Sequence, residues 1–354
     1  MPIQTFTAQN FRCLESIELE PDPRYTLIYG PNASGKTSIL EALAYLGRGK
    51  SFRGSQTSNL IRHGERAFLL FGRVEMGGRP VGVGVRNSRE GLEVRIDGEN
   101  EPGAAALAAA LPLQVIDPAV HHLVSGGPDE RRRFLDWIAF HVEPDYLELW
   151  RRFRRTLRQR NAALKNPAER SGLAAWDEEF VALGERVDGT RRRALQAALA
   201  ALESQGMALL ESQVGFEYSA GWSADKSLSE ALVDSAERDG VLGSTQAGPH
   251  RADLRLSCNE RQARRLVSRG QQKLLASAMI LAAAETAQAE LEQPLLLLLD
   301  DPAAELDRQS LARLMGRVDA LGCQVIATSL EPSALRFPQP PAVFHVEHGT
   351  LRRV

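Results

Sequence analysis

Gly30-Pro31-Asn32-Ala33-Ser34-Gly35-Lys36-Thr37 decides the fold, because this stretch fills every fixed position of the phosphate-loop pattern. Its flanks supply the context that such a loop needs. Thr26-Leu27-Ile28-Tyr29 is a strand-like run entering Gly30 directly, and Thr37-Ser38-Ile39-Leu40-Glu41-Ala42-Leu43-Ala44-Tyr45-Leu46 sets apolar residues at helical spacing. Gly30 and Gly35 permit backbone conformations that turn successive N–H groups inward onto an anion, and the helix that follows adds its positive end. The pattern predicts that Lys36 reaches the β- and γ-phosphates of a bound nucleotide and that the Thr37 hydroxyl ligates Mg²⁺.

Far downstream, Leu295-Leu296-Leu297-Leu298-Leu299 runs into Asp300-Asp301. Five leucines in a row predict a strand buried on both faces, the usual setting for an acid that holds Mg²⁺. Asp300 is assigned to the metal. Asp301, one position on, is expected to face the opposite side and to orient or deprotonate the attacking water. Taken alone, two acids after an apolar strand are equally a solvated strand end; the phosphate loop decides for the functional reading. Ala304-Glu305-Leu306-Asp307 follows, where a partner subunit would lie in ATPases of this layout.

Between these halves stands Ser268-Arg269-Gly270-Gln271-Gln272. Ser268 and Gly270 open a helix, and a serine hydroxyl beside free N–H groups makes an anion site, though an ordinary N-cap has the same composition. Its place shortly before the acidic pair favours the anion site. Since the chain already holds a phosphate loop, Ser268 would meet the nucleotide of another copy.

The 354 residues suit one large domain with an insertion, or two domains. Net charge of −2 gives no global sign of nucleic-acid binding, so any basic surface must be local. Cys13, Cys258 and Cys323 are odd in number and widely spaced, which suggests neither a disulfide framework nor a zinc knuckle. The beginning, Met1-Pro2-Ile3-Gln4-Thr5-Phe6, lacks a signal pattern, and no apolar run approaches the roughly eighteen residues that span a bilayer. A cytoplasmic protein without a membrane partner is expected.

Residues 67–98 alternate as antiparallel hairpins do, with Val81-Gly82-Val83-Gly84-Val85 and Leu92-Glu93-Val94-Arg95-Ile96 closed by Asp97-Gly98. From about 129 to 213 the pattern is helical. Tyr146, Leu149, Trp150, Phe153, Leu157 and Leu164 form one stripe, and Trp176, Phe180, Leu183 and Val187 a second. The fold expected is α/β: a phosphate-loop ATP-binding-cassette head with an antiparallel β subdomain and an inserted antiparallel helical arm. Residues 1–120 and 240–354 are assigned to the head, and 121–239 to the insertion.

The order of phosphate loop, helical insertion, Ser-Arg-Gly-Gln-Gln, Leu-Asp-Asp and Glu-Leu-Asp resembles the cassette head domains of chromosome-maintenance and repair ATPases. Phe11-Arg12, residues 47–53 (Gly-Arg-Gly-Lys-Ser-Phe-Arg), Gly127-Pro128 followed by Arg131-Arg132-Arg133-Phe134-Leu135-Asp136, and Gly248-Pro249-His250-Arg251 narrow the resemblance to the RecF recombination-mediator family. It covers nearly the whole chain, and Gly-Pro-His-Arg is its most specific element. The resemblance implies ATP and Mg²⁺ as ligands, with Ser38, Arg12, Gly270 and Gln271 joining residues 30–37 around the nucleotide. Lys36, Asp301 and, from the other copy, Ser268 would be catalytic. It further implies an ATP-dependent homodimer that binds double-stranded DNA at single-strand gaps, works with other recombination mediators to load recombinase at the nucleoid, and hydrolyses ATP slowly. Two departures stand out. Ile116-Asp117-Pro118-Ala119 occupies the place of a Pro-Glu-Asp-Leu-like segment, so no nucleotide sensor is assigned there, and Ser329 stands where a histidine switch would be.

For DNA, Arg151, Arg152, Arg154, Arg155 and Arg158, with Arg160 and Lys165, outweigh the single acid Glu148 on one helical segment. Phosphate contacts and a solvated face paired with Asp177, Glu178 and Glu179 are both open readings of that run. Arg131 to Arg133, Lys50 and Arg53 are lesser candidates. Two competing functions are the energising subunit of a transporter and an ATP-switched DNA clamp without relevant hydrolysis.

Overall fold

The computed structural model describes residues 2–54, 56–101, 103–166, 173–263, 267–304 and 306–354. The chain divides into two compact units, one of residues 1–120 and 292–354 and the other of residues 121–291.

The first unit is built on two six-stranded sheets. One runs in the order Thr350–Arg353, Ala342–Glu347, Tyr25–Tyr29, Gln324–Ser329, Leu296–Leu299, Leu113–Ile116. Its last five strands are parallel, and only the Thr350–Arg353 strand is antiparallel to its neighbour. Leu296–Leu299 and Gln324–Ser329 are buried at every position, as strands covered on both faces must be. The second sheet is antiparallel throughout, in the order Leu14–Leu19, Ile3–Phe11, Ala67–Met76, Arg79–Ser88, Gly91–Ile96, Glu99–Asn100. Here burial alternates: Phe68, Leu70 and Val74 face the core while Leu69, Phe71 and Arg73 face out. Helix Lys36–Arg48 supplies Ile39, Leu40, Leu43 and Leu46 to a core shared with both sheets. Phe11, Tyr45 and Phe68 meet edge-on at its centre, with Phe68 at 5.0 Å from each of the other two rings.

The second unit holds helices Pro128–Val142, Tyr146–Lys165, Leu173–Leu210, Leu228–Leu242 and Arg269–Leu291, with a small antiparallel sheet of Val214–Ser219, Asp253–Cys258 and Arg261–Gln262. Tyr146–Lys165 packs along Leu173–Leu210, with Phe153 and Phe180 fully buried and their rings 5.3 Å apart. Ser227 and Glu230 cap Leu228–Leu242 reciprocally.

The boundary differs from the one expected. Residues 240–291, assigned above to the head, fall within the helical unit. The motif order placed that segment beside the nucleotide, but packing decides the unit. Helix Arg269–Leu291 buries Leu274, Leu275, Met279 and Leu281 and packs on Leu173–Leu210 and Pro128–Val142. The same helix is long and apolar enough by composition to cross a membrane, although no unbroken apolar run marks it in the sequence; most of its apolar window is buried inside the protein.

Candidate nucleotide site

The strand order brings the motifs of the first unit together. Gln324–Ser329 lies between Tyr25–Tyr29, which leads into the phosphate loop, and Leu296–Leu299, which leads into Asp300. All three strands are parallel, so their carboxyl ends open on one edge, where α/β sheets hold ligands.

In the loop, Ala33 and Gly35 take positive φ of 61° and 114°. Gly30 is required by crowding: a Cβ there would lie 2.2 Å from the Val346 carbonyl oxygen. Pro31, Asn32 and Ala33 are exposed, whereas Ser34, Gly35, Lys36 and Ser38 are buried. Helix Lys36–Arg48 begins at Gly35 with no side-chain cap and no acid in its first turn. Ser34 Oγ is buried without a hydrogen-bond partner. Lys36 Nζ donates to the carbonyls of Gly30 at 2.7 Å and Pro31 at 2.9 Å. Uncapped N–H groups, an unpartnered buried hydroxyl and a lysine folded onto its own loop form a cradle for phosphate oxygens. Ser38 faces Cys13, whose Sγ lies 3.5 Å from its hydroxyl.

Around the acids, the Thr37 and Thr328 hydroxyls both donate to Asp300 Oδ1, at 3.0 and 2.9 Å. Thr328 Oγ1 also accepts the Asp301 N–H at 3.0 Å. Thr328 had no assigned role. As a polar residue ending a buried strand it carried a signal, but only the strand order reveals which acids it touches.

Asp301 departs from simple alternation. The strand ends at Leu299 and Asp301 has a left-handed φ of 46°. Both acids interact electrostatically with Lys36. Burial pushes the Lys36 ammonium below its ordinary pKa, with Asp301 and Asp300 opposing the shift. Burial raises the carboxyls of Asp300 and Asp301; Thr328 and Thr37 moderate the first, Lys36 the second.

Asp117 was also unassigned. Leu113–Ile116 pairs with Leu296–Leu299 in the register Ile116 with Leu299, and the Asp300 N–H donates to the Ile116 carbonyl at 2.9 Å. Asp117 therefore ends beside Asp300, and burial and the Asp300 charge raise its carboxyl, opposed in part by Arg48. A divalent cation fits this donor set: it would supply positive charge beside carboxyls whose ionisation burial and neighbouring acids oppose. Arg53, from the 47–53 segment, also acts on Asp300 through its charge.

Arg12 sits in the turn between Ile3–Phe11 and Leu14–Leu19 with positive φ, and its guanidinium forks onto the fully buried Glu41, with Nη2 to Oε1 at 2.7 Å. Ser51 shares that carboxylate. Any contact of Arg12 with a nucleotide must be made alongside this pair or at its expense. Ser329 is buried and donates to the Glu331 carbonyl at 2.7 Å. Glu305 lies outside the described residues, and Asp307 caps helix Arg308–Ala320.

In the second unit, Ser268 is the N-cap of Arg269–Leu291. Its hydroxyl accepts from Gln271 N at 3.3 Å, and Gln271 Oε1 accepts from Ser268 N at 3.0 Å, a reciprocal capping box. Ser268 and Gln271 are exposed. Gly270 has no positive φ, and beyond its chain neighbours and its own helix backbone no atom lies within 4 Å of where a Cβ would stand, so nothing among the described residues demands glycine there.

The Gly-Pro-His-Arg segment is locked. Buried Arg191 donates to the Pro249 carbonyl at 2.6 Å and pairs with Asp136 at 2.8 Å. Buried Arg160 joins Asp239 at 2.8 Å, Asp177 at 2.7 Å and Thr245 at 2.8 Å. Arg160 is thus internal and unavailable to DNA. Arg131, Arg132 and Arg133 are likewise committed, to Asp253, to the Ala252 carbonyl with Asp129, and to Glu130. In contrast, Arg151, Arg152, Arg154, Arg155 and Arg158 are all exposed. Among the described residues only Arg152 in that set has an acidic neighbour, Glu179 at 3.8 Å.

Comparison with known proteins fits this geometry. Residues 2–350 match the family described as RecF/RecN/SMC N terminal domain. The chain is 40% identical over 348 residues to the DNA replication and repair protein RecF of Pseudomonas aeruginosa (strain LESB58), covering 96% of this chain and 94% of that one. It is 41% identical over 359 residues to RecF of Azotobacter vinelandii, covering 99% and 98%. A solved structure of the recombination mediator protein RecF with ATP superimposes with a TM-score of 0.90 at 25% identity, over 100% of this chain and 97% of that one.

Proposed function

The chain belongs to the RecF family, within the RecF/RecN/SMC N-terminal-domain group, and from that premise we propose that it is an ATP-switched DNA-binding protein of recombinational repair and replication. It binds ATP with Mg²⁺, pairs with a second copy, holds duplex DNA at single-strand gaps and, with partner mediators at the nucleoid, promotes recombinase loading. Slow hydrolysis resets the dimer.

The observation that carries this reading is the convergence of Thr37 and Thr328 on Asp300 beside an uncapped, lysine-bearing loop with an unpartnered Ser34 hydroxyl. Mg²⁺, held by Thr37 and Asp300, would supply positive charge against the phosphates. Residues 30–38 cradle the phosphates, Lys36 leaves its loop carbonyls to meet them, Thr37 and Asp300 hold the metal, and Asp301 acts on water. A carboxyl raised by burial is better matched to a base working near neutral pH than an exposed one. Ser268, Gly270 and Gln271 belong to the nucleotide of the other copy: Gly270 costs helix stability, and no contact among the described residues accounts for it. One observation favours the clamp without relevant hydrolysis as a second reading, namely that Ser329 spends its hydroxyl on a backbone carbonyl. Family membership speaks against the transporter subunit.

The exposed arginines of Tyr146–Lys165 are the DNA contacts proposed, because the acids of the neighbouring helix leave most of them unpaired. Binding to gapped and blunt duplex, with and without ATP, should fall steeply with salt. Replacing Arg151, Arg154, Arg155 and Arg158 by alanine should reduce the log–log salt slope by about 3 if most of them touch phosphates. An unchanged slope in that variant would remove these residues from the interface.

A further inference from the structure

The last hairpin of the sequence runs alongside the phosphate loop. Ala342–Glu347 lies parallel to Tyr25–Tyr29, with His345 opposite Tyr29 and their ring centroids 5.0 Å apart. The next residue, Val346, therefore passes Gly30, and its carbonyl is the group that excludes a Cβ there. Glu347 pairs with Thr350 across a two-residue turn, His348-Gly349, whose φ values of 48° and 76° are those of the primed turn that suits a twisted hairpin. His348 is exposed and Gly349 is buried.

Gly349 is wedged between two backbones. Its Cα lies 3.5 Å from where a Cβ on Gly35 would stand, and a Cβ on Gly349 would come 2.6 Å from the Cys13 carbonyl oxygen. Its N–H donates to the Ser34 carbonyl at 2.9 Å. Turn geometry accounts for a glycine here but not for that bond, because the hairpin ladder runs between Glu347 and Thr350 and leaves the Gly349 N–H over. The bond acts on the far side of the peptide it holds. In a planar trans peptide C=O and N–H point in opposite directions, so fixing the Ser34 carbonyl toward the hairpin turns the Gly35 N–H away from it and into the loop. We propose that Gly349 is a positioning residue of the nucleotide site: by holding the Ser34 carbonyl it aligns the Gly35 N–H as a donor to a phosphate oxygen, and the hairpin splints the phosphate loop from outside. A donor aligned in advance spares the nucleotide the cost of ordering it. The inference rests on the nucleotide reading of residues 30–38 and adds to it a group from a distant part of the sequence.

The test compares glycines in two matched turns of the full chain. Gly77-Gly78 joins Ala67–Met76 to Arg79–Ser88 in the same unit; Gly78 has φ of 77°, and beyond its chain neighbours no atom lies within 4 Å of where its Cβ would stand. Alanine carries the same backbone strain at either position, but only Gly349→Ala also presses on Cys13 and shifts the donor off Ser34. Affinity for a methylanthraniloyl ATP and its ADP counterpart, titrated by fluorescence with Mg²⁺, should fall about tenfold or more in Gly349→Ala, the cost of misdirecting one hydrogen bond to a charged group, and stay at the wild-type level in Gly78→Ala. Equal affinity in wild type and Gly349→Ala would overturn the proposal, and so would an equal loss in both variants, which would trace the effect to general stability. If Gly349→Ala does not fold, hydrogen exchange in wild type decides: coupling is reciprocal, so MgATP should slow exchange of the Gly349 amide and leave Gly78 unchanged, and an unchanged Gly349 rate would overturn the proposal. Lys36→Ala keeps the two readings apart. Wild type that binds no nucleotide, or no more tightly than Lys36→Ala, defeats the nucleotide reading and the splint with it; a loss in Lys36→Ala with none in Gly349→Ala defeats the splint alone.

Discussion

His250 shows how a family-specific residue can be structural. Its Nε2 donates to the Thr245 carbonyl at 2.9 Å, which leaves Nδ1 unprotonated, buried and without a partner between Phe153 and Phe180. Burial is the main force lowering its pKa to about 4, with Arg251, Arg132 and Arg160 adding repulsion and the Thr245 contact opposing. The unfolded chain binds this proton near pH 6.5, so between pH 6.5 and 4 it carries more protons than the folded chain and stability falls as pH falls. The expected loss from this residue is roughly 2 kcal/mol between pH 7 and 5. Urea unfolding of wild type and His250→Gln at both values should show the variant losing less by that amount; parallel losses would show that His250 does not titrate this way. Thr328 and Asp117 make the complementary point for the nucleotide site. Each reaches Asp300 only through the order of parallel strands, which no local spacing encodes.

At the scale of elements, the opening of helix Arg269–Leu291 separates stability from assembly. Ser268 and Gln271 cap it reciprocally, which accounts for them as an N-cap, while the reading as an anion site for another copy rests on the proposal. Gly270 breaks the tie. With open space around its Cβ position, Gly270→Ala should fold at or slightly above wild-type stability, since alanine favours helix by up to about 1 kcal/mol. It should bind ATP as a monomer yet lose ATP-driven pairing, seen by comparing thermal melts, nucleotide titration and light scattering. Normal pairing in this variant would leave the glycine without a role. Much of this level was legible in the sequence. The phosphate loop with its flanking strand and helix, the leucine strand, the hairpins of residues 67–98 and the arm helices stand where periodicity put them. The unit to which Arg269–Leu291 belongs was not legible, because an alanine-rich helix buried on most sides has no stripe that names its neighbour. Nor was the fate of each arginine: Arg160 and Arg158 look alike in sequence, and only packing makes one buried and the other free.

At the scale of the molecule, the residues proposed for the nucleotide are divided between the two units. Residues 30–38, Asp300 and Asp301 belong to the first, and residues 268–272 to the second. A composite site in which each copy gives its first-unit residues to one nucleotide and its second-unit residues to the other makes ATP a conformational ligand, since it binds the paired state better than the single one. Sedimentation velocity at high protein concentration, with and without MgATP, tests this most directly, with Asp301→Asn included to hold the ATP-bound state. The account predicts a monomer without nucleotide, a dimer with MgATP that persists in Asp301→Asn, and a monomer under both conditions for Lys36→Ala. Wild type that binds ATP yet stays monomeric at every concentration reached would contradict it.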